Sequence, residues 1–244
     1  GLADGTDPYA AQVYEKARQN FTALRSQAPL VDDAEPSIYF YRLRMGGHEQ
    51  TGVAACYSLD EYDRDLIKKH ERTRPDKEDD RTTHLLALRA QTGPVFLIHR
   101  EASAIDRLVE RVVASPPLYD FAAPDDVQHT IWRVDAGDET PFVDAFAKVP
   151  ALYIADGHHR AASAARARHQ LRGSGAGAGE WDTFLAVAFP ASQVQILPYN
   201  RVVTDLADQT PAAFLAALRQ RVAVQDGPVT PVRRGDVSMF LAGK

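Results

Sequence analysis

The stretch Tyr153-Ile154-Ala155-Asp156-Gly157-His158-His159-Arg160-Ala161-Ala162 decides how this chain is read. An apolar, β-leaning run over 151–155 stops at Asp-Gly. Two histidines and an arginine follow, then an alanine-rich segment over 161–171. The pattern predicts a strand, a tight turn and a helix start. The first turn of a helix has unpaired N–H groups and the positive end of the helix dipole. Gly157 permits close approach to the backbone. Arg160 offers a planar fork suited to phosphate oxygens. Together these parts predict an anion site, most simply one for phosphate. Asp-Gly is also a common turn, and on that reading Asp156 only caps the helix. His158 and His159, adjacent on a helix, point about 100° apart, unlike the i, i+4 pair of a zinc helix, so a zinc chelate is not expected.

Composition sets the frame around this motif. The chain has 244 residues, 45% hydrophobic and 25% charged, enough for one large domain or two small ones. A net charge of −5 argues against a general nucleic-acid or membrane-surface binder. The expectation is no nucleic acid, no membrane, and a small-molecule substrate; oligomeric state is not legible. The single cysteine, Cys56, excludes an internal disulfide and suits a reducing, cytoplasmic setting. Its flanks, Val53-Ala54-Ala55 and Tyr57, predict a buried strand position. No apolar run approaches the ~18 residues of a membrane span, and the first residues do not read as a signal peptide.

Along the chain, Asp7-Pro8 opens a predicted helix to about Gln27. Residues 38–44 and 51–57 alternate as two strands joined at Gly46-Gly47, a β-hairpin. Ser58 to Glu61 reads as a capping box before a short helix ending near Lys69. A charged stretch, His70 to Arg81, reads as a loop. A helix over 82–91, a strand over 94–99, an amphipathic helix over 103–115 with Ile105, Leu108, Val109 and Val112 on one face, a strand over 127–134 and a helix over 140–147 follow. Residues 173–179 read as too glycine-rich to pack and hence mobile. Strands are predicted at 181–189, 195–198 and 237–241, and a helix at 211–222. Helices and strands interleave around an antiparallel hairpin, so the fold class is α+β with a mixed sheet. The chain reads as one α+β unit over 1–244, with a sub-division at 1–100 and 101–244.

Two further polar segments are candidates. Between Arg64 and Arg81 stand seven Lys/Arg and six Asp/Glu. The plain reading is a solvated loop with weak ion pairs. The functional reading is an active-site loop whose carboxylates serve as general base or hold Mg²⁺ beside phosphates. The other segment, Leu197 to Val203, places Asn200 and Arg201 just past a predicted strand end.

The motifs HERT (70–73), KEDDR (77–81), HTIWRV (129–134), DGHHR (156–160) and LPYNRVV (197–203) occur in order. In that combination the chain resembles a conserved bacterial family known mainly as a domain of unknown function, over roughly residues 8 to 244. Members usually begin with a Pro-Pro-Tyr-Asp segment and continue past the position of Lys244, so the chain is expected to be a fragment. The DGHHR element also resembles the nucleotide-binding helix start of the ParB/sulfiredoxin superfamily, and among its groups most resembles kinases of free L-serine. The resemblance implies a ParB/sulfiredoxin-like nucleotide-binding core with an added α/β region. It implies a kinase acting on a small hydroxylated metabolite, L-serine first, with ATP or ADP and Mg²⁺. Gly157, His158, His159 and Arg160 would hold phosphates, with Asp156 or Asp80 on the Mg²⁺. Glu71 is the candidate base, with Glu78 and Asp80 as competitors and His70, Arg72, Arg81, Asn200 and Arg201 in support. The rival readings are a nucleotide-binding regulatory module without turnover and a metal-dependent hydrolase.

Overall fold

The computed structural model describes residues 2–28, 30–175, 177–197, 200–228 and 235–241. The chain divides into two compact units, Gly1–Gln195 and Ile196–Lys244.

The first unit is built on an eight-stranded mixed sheet. Its strands are β1 (Tyr39–Met45), β2 (His48–Ser58), β3 (Ile67–Lys68), β4 (Val95–His99), β5 (Tyr119–Ala122), β6 (Gln128–Arg133), β7 (Leu152–Asp156) and β8 (Thr183–Pro190). In space they run β3-β7-β4-β8-β2-β1-β6-β5. The β1–β2 hairpin pairs Tyr41 with Gly52 and turns at Gly46, where φ is positive. The pairs β3–β7 and β4–β8 are parallel, and the other five are antiparallel. Among the described residues six α-helices accompany the sheet: α1 (Ala11–Gln27), α2 (Leu59–Asp63), α3 (Pro75–Leu88), α4 (Ser103–Val113), α5 (Thr140–Phe146) and α6 (His158–Gly173).

The period-2 alternation of the strands fixes where the core sits. Val95 and Leu97 of β4, Leu152 and Ile154 of β7, and Phe184, Ala186 and Ala188 of β8 all turn to one face. There they meet Ala161, Ala164 and Ala165 of α6. The small alanine side chains let that helix lie close to the sheet. On the same face Phe40, Val53 and Trp132 meet Ile105 of α4 and Phe142 of α5. The amphipathic stripe of α4 is therefore used as its sequence predicts, with Leu108, Val109 and Val112 beside Ile105.

Several expectations are corrected. The stretch from His70 to Arg81 is not a loop throughout: α3 begins at Pro75. Proline at the first helical position and the first-turn acids Asp76 and Glu78 supply the start signal. Residues 64–69 are not helix; α2 ends at Asp63, with Asp65 at positive φ, and β3 follows. Strand β5 was not predicted. Cys56 lies on a strand but is exposed, because inward Val53 and Tyr57 leave position 56 on the other face. At the end of the glycine segment a Cβ on Gly179 would stand 2.6 Å from the Trp181 ring, whose Nε1 donates to the Gly177 carbonyl at 3.1 Å, while Gly173, Gly175 and Gly177 are exposed with open space around them. Residues 195–197 and 237–241 carry no strand, and Pro198 lies outside the described residues.

The second unit contains α7 (Pro211–Arg219), capped by the Thr210 hydroxyl, which accepts from the Ala213 N–H at 3.2 Å. Helix 211–222 is thus shorter than its sequence predicts.

Candidate functional site

Strand β7 delivers the chain to Asp156, and Gly157 turns it into α6 with φ of 96°. That left-handed conformation is one L side chains rarely adopt. A Cβ at 157 would also stand 3.0 Å from Arg160 Nε. Asp156 does not cap the helix; the start of α6 has no side-chain cap and no acidic residue in its first turn. The first intrahelical bond runs from the Ala161 N–H to the Gly157 carbonyl. Among the described residues the main-chain N–H groups of His158, His159 and Arg160 have no hydrogen-bond acceptor. Arg160 bends back over the glycine, donating to the Asp156 carboxylate and to the Pro94 carbonyl at the entry of β4. The pairing leaves Asp156 about three-quarters exposed.

The two histidines diverge, as their spacing requires. His158 is buried. Its Nε2 accepts the His70 main-chain N–H at 3.5 Å, and its Nδ1 lies 3.3 Å from Glu71 Oε2. The His70 ring meets the His158 ring edge-on at 4.4 Å. Burial first, and the neighbouring His70 second, hold the His158 imidazole below its ordinary 6.5, against the pull of Glu71 and Asp156. A neutral ring that accepts at Nε2 carries its proton on Nδ1, facing Glu71. His159 turns the other way, and its Nε2 accepts the Arg74 main-chain N–H at 3.1 Å.

These contacts dock the start of α3 against the start of α6. Arg74 meets His159, Glu78 meets Ser163, and Asp79 meets Arg166, so the partners advance together along both helices. The helices run the same way, and their positive ends gather at one place. That place is where β7 ends and where His70, Glu71 and Arg74 stand.

The carboxylates proposed as bases fall in different settings. Glu71 is more than half exposed and adjoins His158. Glu78 is largely enclosed; it accepts from the Thr73 hydroxyl and pairs with Arg166 at 3.2 Å, so it ties α3 to α6. Asp80 points toward α1, where it accepts the Tyr14 phenol at 2.9 Å. Burial, then Asp80, push that phenol up to about 12. Arg81 and Arg160 line a common cleft between α3 and α6, which Asp80 also borders. Arg72 is exposed. Asn200 and Arg201 belong to the second unit and are exposed there. Among the described residues no group of three or more His, Cys, Asp or Glu is arranged to hold a metal ion. Arg74, His84, Ser163 and Arg166 also stand at this place, although no motif in the sequence marks them. Arg74 acts through its main chain, which no side-chain pattern announces, whereas His84 falls three and four positions after Arg81 and Asp80 and so shares their side of a helix.

A family match covers the whole chain, residues 1–244, and is described as a protein of unknown function, DUF1015. The chain belongs to the DUF1015 family. A search among curated proteins and among solved structures found no match. Among the described residues of this DUF1015 chain no helix is long and apolar enough to cross a membrane.

Proposed function

We propose that this DUF1015 chain binds a nucleotide by its phosphates at the start of α6 and transfers a phosphoryl group to a small hydroxylated metabolite, free L-serine being the first acceptor to test. The observation that carries the reading is the uncapped, acid-free start of α6 beside the exposed Glu71 carboxylate, which is paired with the buried imidazole of His158. The likeness of residues 156–160 to the helix start of free L-serine kinases supports the same reading.

Phosphoryl transfer asks the protein mostly for positioning and charge stabilisation. The N–H groups of 158–160 face oxygens that gain charge as the terminal phosphorus moves. Arg160, fixed by Asp156 and the Pro94 carbonyl, presents its remaining N–H groups to the same oxygens. Glu71 accepts the proton of the acceptor hydroxyl as that oxygen bonds to phosphorus and the bond to the leaving phosphate breaks. Neutral His158, donating from Nδ1, steadies Glu71 without removing its charge. Mg²⁺ binds phosphates with one or two carboxylates and several waters rather than a full protein cage, and exposed Asp156 suits that role.

The test is phosphoserine formation by the full chain from L-serine with ATP or ADP and Mg²⁺. Glu71→Gln should lower turnover by about 10²-fold or more while nucleotide affinity holds. Nucleotide binding with no turnover on any small hydroxylated acceptor would leave a regulatory module. A full-rate Glu71→Gln enzyme would remove Glu71 as base.

A further inference from the structure

The cleft on the far side of the α6 start is built for more than a phosphate. Its volume is about 510 Å³, within the range of small-molecule sites. Arg81, His84 and Leu85 of α3 form one wall, and Arg160 and Ser163 of α6 form another. The third wall is the turn after α3, Ala90 to Gly93. That turn is anchored rather than draped. Arg89 takes a left-handed φ of 54° that ends the helix. Gln91 then bonds the β8 main chain twice, donating to the Thr183 carbonyl at 3.0 Å and accepting the Leu185 N–H at 2.7 Å.

The chemistry of the walls is selective. Arg81, His84 and Arg160 converge on the space. Asp80 also borders it as an anion that accepts the Tyr14 phenol, and Arg160 is paired with Asp156, so among the described residues Arg81 is the wall's unpaired guanidinium. Among the described residues Arg81 has no carboxylate partner, whereas Arg166, Arg168 and Arg172 are each paired. Leu85 and Ala90 add apolar surface. A partly apolar cleft with an unpaired arginine that opens beside a helix start suits a ligand with an anionic end and a flat organic body.

Position assigns the cleft to one of the two substrates. Residues 158 and 160 lie about 200° apart around a helix axis. Glu71, which adjoins His158, and the cleft, which adjoins Arg160, therefore flank the start of α6 on opposite sides. An acceptor hydroxyl at Glu71 leaves the cleft to the phosphoryl donor. We infer that this cleft is the nucleoside subsite of the donor, with Arg81 on the phosphate nearest the ribose and Thr92 at the rim over the base and sugar. The inference rests on the phosphate-binding reading of α6.

The experiment separates the two. Titration calorimetry of the full chain compares inorganic pyrophosphate with the four common nucleoside diphosphates. At least one nucleoside diphosphate should bind tenfold or more tightly than pyrophosphate. Thr92→Trp, at an exposed position, should erase that gain and leave pyrophosphate affinity within twofold. Arg81→Glu, also at the surface, is the second variant and should weaken the nucleotide by more than tenfold. If pyrophosphate binds and no nucleoside diphosphate exceeds it, or if both folded variants keep the gain, the subsite is wrong and the phosphate site stands. If pyrophosphate and every nucleotide fail to bind, the phosphate site is wrong and the subsite falls with it.

Discussion

Helices α3 and α6 start side by side and point the same way, yet their first turns are composed in opposite senses. α3 opens on proline, carries Asp76 and Glu78, and has Glu78 tied to Thr73 and Arg166. Its positive end is answered from within the chain. α6 opens on a left-handed glycine, has no acidic residue in its first turn, and surrounds itself with His158, His159 and Arg160. No acidic side chain of its own first turn answers its positive end. Two neighbouring helix starts that point the same way thus differ in their first turns: extended backbone followed by acidic residues in α3, a left-handed glycine followed by none in α6.

The largest expected effect comes from giving α6 the composition of α3. Arg160→Glu places an acid in the first turn and should abolish measurable pyrophosphate binding by calorimetry. Arg160→Ala, which only removes the cation, should weaken it by roughly 1.5–3 kcal/mol, the scale of a charged hydrogen bond. Unchanged affinity in folded Arg160 variants would end the claim that the two starts differ in function.

Gly157→Ala tests the backbone side. A positive φ and a Cβ 3.0 Å from Arg160 Nε both oppose it. Stability by urea unfolding should fall by about 1–3 kcal/mol, and anion affinity should fall with it because Arg160 must move. Glu78→Gln tests the helix that is satisfied from within. It should cost about 1–2 kcal/mol of stability through weakened Thr73 and Arg166 contacts, with pyrophosphate affinity and turnover within twofold of the parent. A large loss of turnover there would return Glu78 to the catalytic list.

The smallest effect is a pH slope. His158 is held below its ordinary 6.5, so the unfolded chain binds the proton more readily than the folded one. Its contribution is therefore intact above 6.5 and declines as pH falls below that value toward the folded one. His158→Gln should flatten the fall in unfolding free energy between pH 6.5 and 5. An identical slope in both proteins would show that His158 is not held neutral.

Much of this was legible where one physical signal dominated. The run from 151 to 171 reads as strand, turn and helix because apolar β-leaning residues, a glycine and an alanine series each speak for one conformation, and β7, Gly157 and α6 occupy it. The stripe of α4 is legible for the same reason. Helix α3 was obscured because its exposed face is a dense charge run, which resembles a solvated loop until Pro75 is read as a first helical position. Strand β5 has four residues, all exposed, so no burial pattern marks it. Cys56 shows a different failure: β2 is an inner strand with apolar residues on both faces, and only the register tells which of them face the helices. Within the site, the residue types near α6 were visible, but the roles of Glu71 and Glu78 were not. That distinction depends on which carboxylate meets Arg166 across some 88 positions of sequence.

The same separation governs when the site comes into being. The bonds from His70 to His158, Arg74 to His159 and Ser163 to Glu78 close loops of 85 to 88 residues. Such contacts form only after the intervening chain has organised, since loop-closure entropy opposes them until then. The α3–α6 pair is thus expected to be among the last parts to lock during folding. A phosphate ligand recognising only the locked pair should lengthen the lifetime of the native state and leave the refolding rate nearly untouched.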